Sequence, residues 1–170
     1  RIERLGRLVA VLERTMEARK MGINLDPDEM FEVFGDADPG EHAEEAGQRW
    51  GDTDAWRQSQ QRTSSYTKAD WQRFKDEQES LGADMVAAMD AGVPPDEARA
   101  MDLAERSRLQ IHEWFYDCPH AMHVSLGQMY VDDPRFMATY ERQREGLAVW
   151  IRDAIVANAK RHGVDASSRS

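Results

Sequence analysis

The chain has 170 residues, a formal net charge of −10, and is 41% hydrophobic and 32% charged. That length suffices for one domain with a buried core, and no run approaches the roughly 18 apolar residues that a membrane helix needs. The acidic balance argues against a free-standing nucleic-acid-binding domain, which would show a basic stripe. The single cysteine, Cys118, rules out an internal disulfide; with no visible signal peptide, this fits a cytoplasmic protein without a membrane partner.

Residues 1–20 open in helical rhythm at Arg1, without an initiator Met, and are expected to be cut from something longer. Ile2, Leu5, Val9, Leu12 and Met16 are spaced three, four, three and four, an a/d heptad seam among Arg and Glu. The pattern predicts the C-terminal part of a dimerising coiled-coil helix, and so a homodimer through residues 1–20. An amphipathic helix packed on its own core would give the same two heptads.

The rest reads as all-α, in about seven or eight helices, because no stretch sustains strand alternation. The six prolines sit where helices start. Asp26-Pro27, Asp38-Pro39 and Asp133-Pro134 each read as an N-cap followed by proline at the first helical position, and Pro94-Pro95 and Cys118-Pro119 fit the same reading. Asp26 with Glu29 and Thr67 with Asp70 have capping-box spacing, and Gly92 and Gly163 stand where helices should stop.

Three further segments follow. Residues 21–80 contain the stretch 35–80, which has no Leu, Ile, Val or Met; its bulky apolar groups are Trp50, Trp56, Tyr66, Trp71 and Phe74. Such a segment buries little aliphatic surface against the entropy of ordering. It is expected to act as a ligand-responsive lid, although polar surface helices each pinned by one aromatic would look the same. Residues 81–163 carry the aliphatic core. Leu81, Met85 and Met89 continue the stripe of Trp71, Phe74 and Gln78, and Phe136, Tyr140, Leu147, Trp150, Ile151, Ala154 and Ile155 read as another helix face. Residues 164–170 are expected to be a disordered tail, ending in the low-complexity run Ala166-Ser167-Ser168-Arg169-Ser170.

The densest cluster of chemistry-bearing residues is 111–123, and three readings compete there. His112, Cys118, His120 and His123 could ligate a metal, but their spacing matches no structural zinc pattern and only one is a thiolate donor. Cys118 could be a nucleophile activated by the dipole of the helix opened by Pro119, with His112, His120 or His123 as base; an inert buried thiol is the plainer reading. Alternatively, Cys118, Met122, Ser125 and Met129 share one helix face, preceded by Trp114, Phe115 and Tyr116. That is a soft apolar wall edged by a thiol, a hydroxyl and imidazoles, of the kind that lines small-molecule sites, or else core against the final helix. No phosphate-binding glycine loop and no paired-carboxylate motif with a clear chemical context is present.

A resemblance spans residues 21–162. Met21-Gly22-Ile23-Asn24-Leu25, Phe31-Glu32-Val33-Phe34-Gly35-Asp36, Arg49-Trp50-Gly51-Asp52-Thr53-Asp54-Ala55 and Ser65-Tyr66-Thr67-Lys68 begin it. Tyr116-Asp117-Cys118, Met122-His123, Leu126-Gly127, Met129-Tyr130-Val131, Gly146-Leu147-Ala148 and Arg152-Asp153-Ala154-Ile155 complete it. In this order they resemble the TipA-type antibiotic-recognition domain, the effector half of a branch of MerR-family regulators. The resemblance implies a globin-like helical domain that binds thiopeptides or other large aromatic, heterocyclic antibiotics. It implies no cofactor, no metal and no enzymatic activity. It also implies promoter DNA as a partner through a separate N-terminal domain, and a long pairing helix of which residues 1–20 are the end. Domains of this kind also occur alone as drug-sequestering resistance proteins.

One departure bears on chemistry. In the thiopeptide-binding prototype of the family, a second cysteine, expected to add to the ligand's dehydroalanine, stands where this chain has Ser125. A hydroxyl is too weakly ionised at neutral pH to replace a thiolate without a base. Binding is therefore expected to be non-covalent. The ligand-binding residues expected are Trp50, Trp56, Tyr66 and Trp71 as lid, and His112, Tyr116, Cys118, Met122, Ser125 and Met129 around the opposite wall.

Overall fold

The structure is a computed structural model and describes residues 22–34 and 48–165. The heptad of residues 1–20, Asp38-Pro39 and the tail beyond 165 lie outside the described residues. Among the described residues seven helices follow in order: α1 Pro27–Phe34, α2 Asp54–Thr63, α3 Lys68–Asp90, α4 Ala98–Trp114, α5 His120–Asp132, α6 Pro134–Glu141 and α7 Leu147–Arg161. Residues 48–50 are also helical, and no strand occurs among the described residues.

Local chemistry sets most of the boundaries. At α1 the Asp26 carboxylate accepts from Glu29 N at 2.9 Å while Asp26 N donates to Glu29 Oε1 at 3.4 Å, a reciprocal capping box. At α3 the Asp70 carboxylate accepts from Thr67 N at 2.9 Å, and Thr67 Oγ1 accepts from Asp70 N at 3.3 Å. Asp133 caps α6, with Pro134 in its first turn and the carboxylate accepting from Arg135 N. Gly92 and Gly163 take positive φ, at 76° and 84°, just past α3 and α7.

Three expectations fail locally. Pro94-Pro95 do not open α4. They occupy a turn, Pro95 at its second position and Glu97 N donating to Pro94 O at 3.1 Å, before the helix begins at Ala98. Cys118 does not cap α5; Pro119 is the N-cap and provides no side-chain bond. Phe136 and Tyr140 do not share a helix with Leu147–Ile155, because residues 142–146 break α6 from α7. Gly146 turns that corner at φ 86°. The Glu141 carboxylate then accepts from Gly146 N at 2.7 Å and from Ala148 N at 3.4 Å, satisfying donors at the start of α7 from across the break.

The described residues divide into two compact units: residues 22–34, 48–77 and 113–117, and residues 78–112 and 118–165. Helices α3 and α4 each contribute to both. In the first unit Ile23, Leu25, Met30, Val33, Trp71, Phe74 and Trp114 are buried together. In the second, Leu81, Met85 and Ala88 of α3 pack with Ala100, Leu103 and Ala104 of α4, Val124 of α5 and Leu147, Trp150, Ile151, Ala154, Ile155 and Ala159 of α7. Helix α5 lies on α7 through Gly127, where a Cβ would stand 3.1 Å from Ile155 Cδ1.

Candidate functional site

The first unit is built on rings. Trp71, 2% exposed, meets Tyr66 edge-on at 5.4 Å between centroids, Phe74 at 5.8 Å, Phe34 at 5.8 Å and Phe115 at 6.3 Å. Trp114 packs on Tyr66 at 5.1 Å and on Phe74 at 5.5 Å, and Arg73 stacks over it at 4.8 Å. Edge-to-face pairs of this kind contribute about 0.5–1.5 kcal/mol each beyond burial, which offsets the lack of aliphatic residues. Most polar ring atoms here are engaged: Tyr66 OH donates to Trp114 O at 2.5 Å, and Trp114 Nε1 donates to Glu77 at 3.0 Å. Trp71 Nε1 is buried without a hydrogen-bond partner among the described residues, an uncommon state for an indole.

Residues 113–117 are fastened to α2 by side chains. Asp117 Oδ1 accepts from Arg62 at 2.7 Å, Asp117 N donates to Gln58 Oε1 at 2.9 Å, and Gln58 Nε2 donates back to Asp117 Oδ2 at 3.4 Å. Tyr116 sits half-buried in this clamped stretch. Trp50 and Trp56 are both half-buried and are joined through Thr53, whose Oγ1 donates to Trp50 O at 2.6 Å and accepts from Trp56 N at 3.2 Å. Of the expected lid, then, Tyr66 and Trp71 are in contact, Trp50 and Trp56 share a cap, and Trp71 is enclosed by other rings.

In the second unit the expected wall separates into buried and open parts. Cys118 is fully buried, and burial pushes its thiol up to about 11, with Arg108 opposing and Glu105 adding to the shift. His112 Nδ1 accepts from Cys118 N at 3.1 Å, and Arg108 donates to Cys118 O at 2.9 Å. His112 Nδ1 is thus engaged in holding the chain before α5, and is not turned to the thiol as a base. The nucleophile reading fails on both counts: the sulfur is enclosed and it is protonated at neutral pH.

The face of α5 that packs is His123, Val124 and Gly127, not the face of Met122, Ser125 and Met129. Met122 and Met129 are half-buried and Ser125 is exposed, its Oγ donating to Ala121 O at 3.2 Å. The reading of that face as core against the final helix is therefore set aside. His123 is buried with Nε2 unpartnered among the described residues, and burial depresses its imidazole to about 4.

Some of this arrangement was not read from the sequence. Phe34, Trp114 and Phe115 join the aromatic cluster, and Gln58, Arg62 and Asp117 form the clamp. The separation of 48 residues between Tyr66 and Trp114 hides that pairing from any local pattern.

The sequence profile of the TipAS antibiotic-recognition domain matches residues 42–158. The chain belongs to the TipAS antibiotic-recognition domain family. It is 54% identical over 162 residues to the HTH-type transcriptional activator TipA of Streptomyces coelicolor, covering 95% of this chain and 64% of that protein. The HTH-type transcriptional activator mta of Bacillus subtilis is 28% identical over 158 residues, or 91% of this chain and 60% of the relative. The chain thus spans somewhat under two thirds of the length of these relatives. A solved structure from a thiopeptide antibiotic multidrug resistance system of Streptomyces lividans, nosiheptide in complex with TipAS, superposes with a TM-score of 0.76 at 54% identity, covering 84% of this chain and all of that one. The antibiotic-binding domain of a TipA-class multidrug resistance transcriptional regulator superposes with a TM-score of 0.52 at 49% identity, over 55% of this chain and all of that one. The TipAS fold of this chain is all-α and globin-like, as expected from its sequence.

Proposed function

We propose that this TipAS domain is the drug-sensing effector part of a longer MerR-type transcriptional activator, and that it binds a large aromatic or heterocyclic antibiotic of the thiopeptide kind without a covalent bond. The regulator reading is supported by relatives that are transcriptional regulators and extend beyond the part this chain matches. The ligand class is supported by the nosiheptide complex of the S. lividans protein. Non-covalent binding rests on one observation: the chain's only thiol is fully buried and held neutral, while Ser125 presents a hydroxyl on the exposed side of α5.

Recognition draws on the aromatic and methionine side chains: Trp50, Trp56, Tyr66, Trp71 and Tyr116 in the first unit, and Met122, Ser125 and Met129 on α5 in the second. His112 and Cys118 support that helix start through the bond that Cys118 N donates to His112 Nδ1. Promoter DNA is contacted by a part of the regulator outside this chain, in line with the chain's net charge of −10, and residues 1–20 pair two subunits in the cytoplasm. The reading requires no catalytic step.

Titration with nosiheptide, followed by tryptophan fluorescence, tests this reading. Saturable quenching that reverses on dialysis is expected, with Trp50→Ala and Met122→Ala each weakening affinity. Absence of binding to nosiheptide and to other macrocyclic heterocyclic antibiotics would overturn it.

A further inference from the structure

Helices α4 and α5 and the end of α7 bring three potential ligand groups together within the second unit. Glu105, His120 and His162 each place one ligand atom within 4.8 Å of the others. They are 15 and 42 residues apart in sequence, so no motif announces them. The grouping differs from the set His112, Cys118, His120 and His123 that the sequence suggests: among those residues the structure spends His112 on the Cys118 amide and encloses the thiol.

The contacts around the three groups define how each is held. The imidazoles of His120 and His162 stack with centroids 4.3 Å apart and planes 16° from parallel. His162 Nδ1 lies 2.8 Å from Asn158 O. A carbonyl only accepts, so Nδ1 is the donor in this contact, an arrangement that backbone carbonyls also give to metal-bound histidines. His120 makes no side-chain hydrogen bond among the described residues; Glu105 Oε1 lies 3.9 Å from its Nδ1. Burial, with Arg108, His162 and Arg161, lowers the His120 pKa against the opposing Glu105 carboxylate.

Three donors hold the Glu105 carboxylate. The Arg108 guanidinium holds its carboxyl down to about 2, with Nε on Oε1 at 2.5 Å and NH2 on Oε2 at 3.1 Å, and Asn158 Nδ2 adds a third donor at 3.3 Å. A carboxylate has about four lone-pair sites, so one remains for an ion. Arg161 is neutralised by Asp102 at 2.9 Å. The two arginines and two carboxylates cancel, so ligand bonds and not a long-range field would set affinity.

We propose that Glu105, His120 and His162 form a divalent transition-metal site, taking Zn2+ through two imidazole nitrogens and one carboxylate oxygen with a fourth position left to solvent. Two nitrogens and one oxygen are a zinc donor set, with bonds of about 2.0–2.2 Å. Tetrahedral closure brings ligand atoms to about 3.4 Å apart, which His162, exposed at the end of α7, can reach by side-chain rotation. The ion would tie the C-terminal end of α7 to α4 and α5.

The test is titration of the whole chain with Zn2+ alone, by calorimetry and by competition with a chromophoric chelator, together with thermal unfolding. One equivalent is expected to bind and to raise Tm. His162→Ala is expected to weaken binding by about tenfold or more, and His120→Ala with Glu105→Gln to abolish it. His162 is solvent-exposed, so its variant is expected to fold and to keep its zinc-free Tm, which separates loss of a ligand from loss of structure. Binding that survives the His120→Ala/His162→Ala double substitution, or a Tm indifferent to Zn2+ in the unaltered chain, would overturn the site.

Discussion

The phenol of Tyr66 donates to the main-chain carbonyl of Trp114 across 48 residues of sequence, at 2.5 Å. The same ring lies edge-on between Trp71 and Trp114. One side chain thus supplies both a ring contact and the partner of a carbonyl at the end of α4. Tyr66→Phe keeps the rings and strands the carbonyl, with an expected loss of about 1 kcal/mol. Trp71→Ala removes the hub and is expected to cost about 3–5 kcal/mol. Urea denaturation followed by circular dichroism checks both, and equal losses for the two variants would show that the rings contribute little.

Acid should destabilise the protein in two separable windows. The His123 imidazole is depressed by burial to about 4, against about 6.5 for an unfolded chain. The unfolded state then binds more protons, so stability is complete above about pH 6.5 and falls as pH drops toward 4, by at most about 1.4 kcal/mol per pH unit. His120, lowered chiefly by burial, shifts stability in the same direction. Glu105 has its carboxyl held at about 2 by Arg108, so its contribution is present above about pH 4.5 and is lost from there down toward 2. Denaturation curves at intervals from pH 7.5 to 3 should show the upper slope shrink in His123→Gln and the lower one in Glu105→Gln. An unchanged slope in either variant counts against that assignment.

Cys118 should resist thiol reagents in the native state. With its thiol near 11, about one molecule in a thousand is thiolate at pH 8, and the sulfur has no exposed surface. Modification by a disulfide reagent is expected only at the rate of unfolding, and should become immediate in guanidinium. Rapid native labelling would show a sulfur more open than the structure has it.

Gly127 sets how closely α5 approaches α7. A Cβ there would meet Ile155 Cδ1 at 3.1 Å and Arg152 Cα at 3.6 Å. In Gly127→Ala the gain in helix propensity, about 1 kcal/mol, roughly cancels the tight contact, and stability is expected to change little. Gly127→Val adds two branches against a buried isoleucine and loses most of the propensity gain. It is expected to cost about 1–3 kcal/mol. Thermal melts of the two variants distinguish this from a freely relaxing interface, in which both would be tolerated.

The order of helices was legible because caps and stop signals are local: Asp26 with Glu29, Thr67 with Asp70, Gly92 and Gly163 act within one turn. The break between Tyr140 and Leu147 was missed because apolar spacing runs through it, and only Glu141 reaching to the Gly146 and Ala148 amides reveals where the second helix starts. The buried face of α5 stayed open in the sequence for a related reason. Met122, Ser125 and Met129 share a helical stripe as well as His123, Val124 and Gly127 do, and a sequence favours methionine over histidine and glycine as core. What decided otherwise is the small size of Gly127, which lets α7 in. Pairings such as Tyr66 with Trp114, or Glu105 with His120 and His162, depend on tertiary approach and leave no periodic trace.

Ser125 is the position at which reactivity should be recoverable. Its side chain is on the exposed part of α5, one turn beyond Met122 and away from the packed residues His123, Val124 and Gly127. A thiol there would be open to solvent, and an exposed cysteine ionises near pH 8.5. Several per cent would therefore be thiolate at neutral pH, against a negligible fraction for the serine hydroxyl. Ser125→Cys incubated with nosiheptide should gain the mass of one ligand, through addition to a dehydroalanine, and Ser125→Cys/Cys118→Ala should gain it equally. The unaltered chain should bind without any mass change, because its one thiol is enclosed. Intact-mass spectrometry after denaturation reads all three outcomes. An adduct on the unaltered chain, mapped to Cys118, would overturn non-covalent binding. An adduct-free Ser125→Cys that still binds nosiheptide would remove Ser125 from the ligand's reactive end.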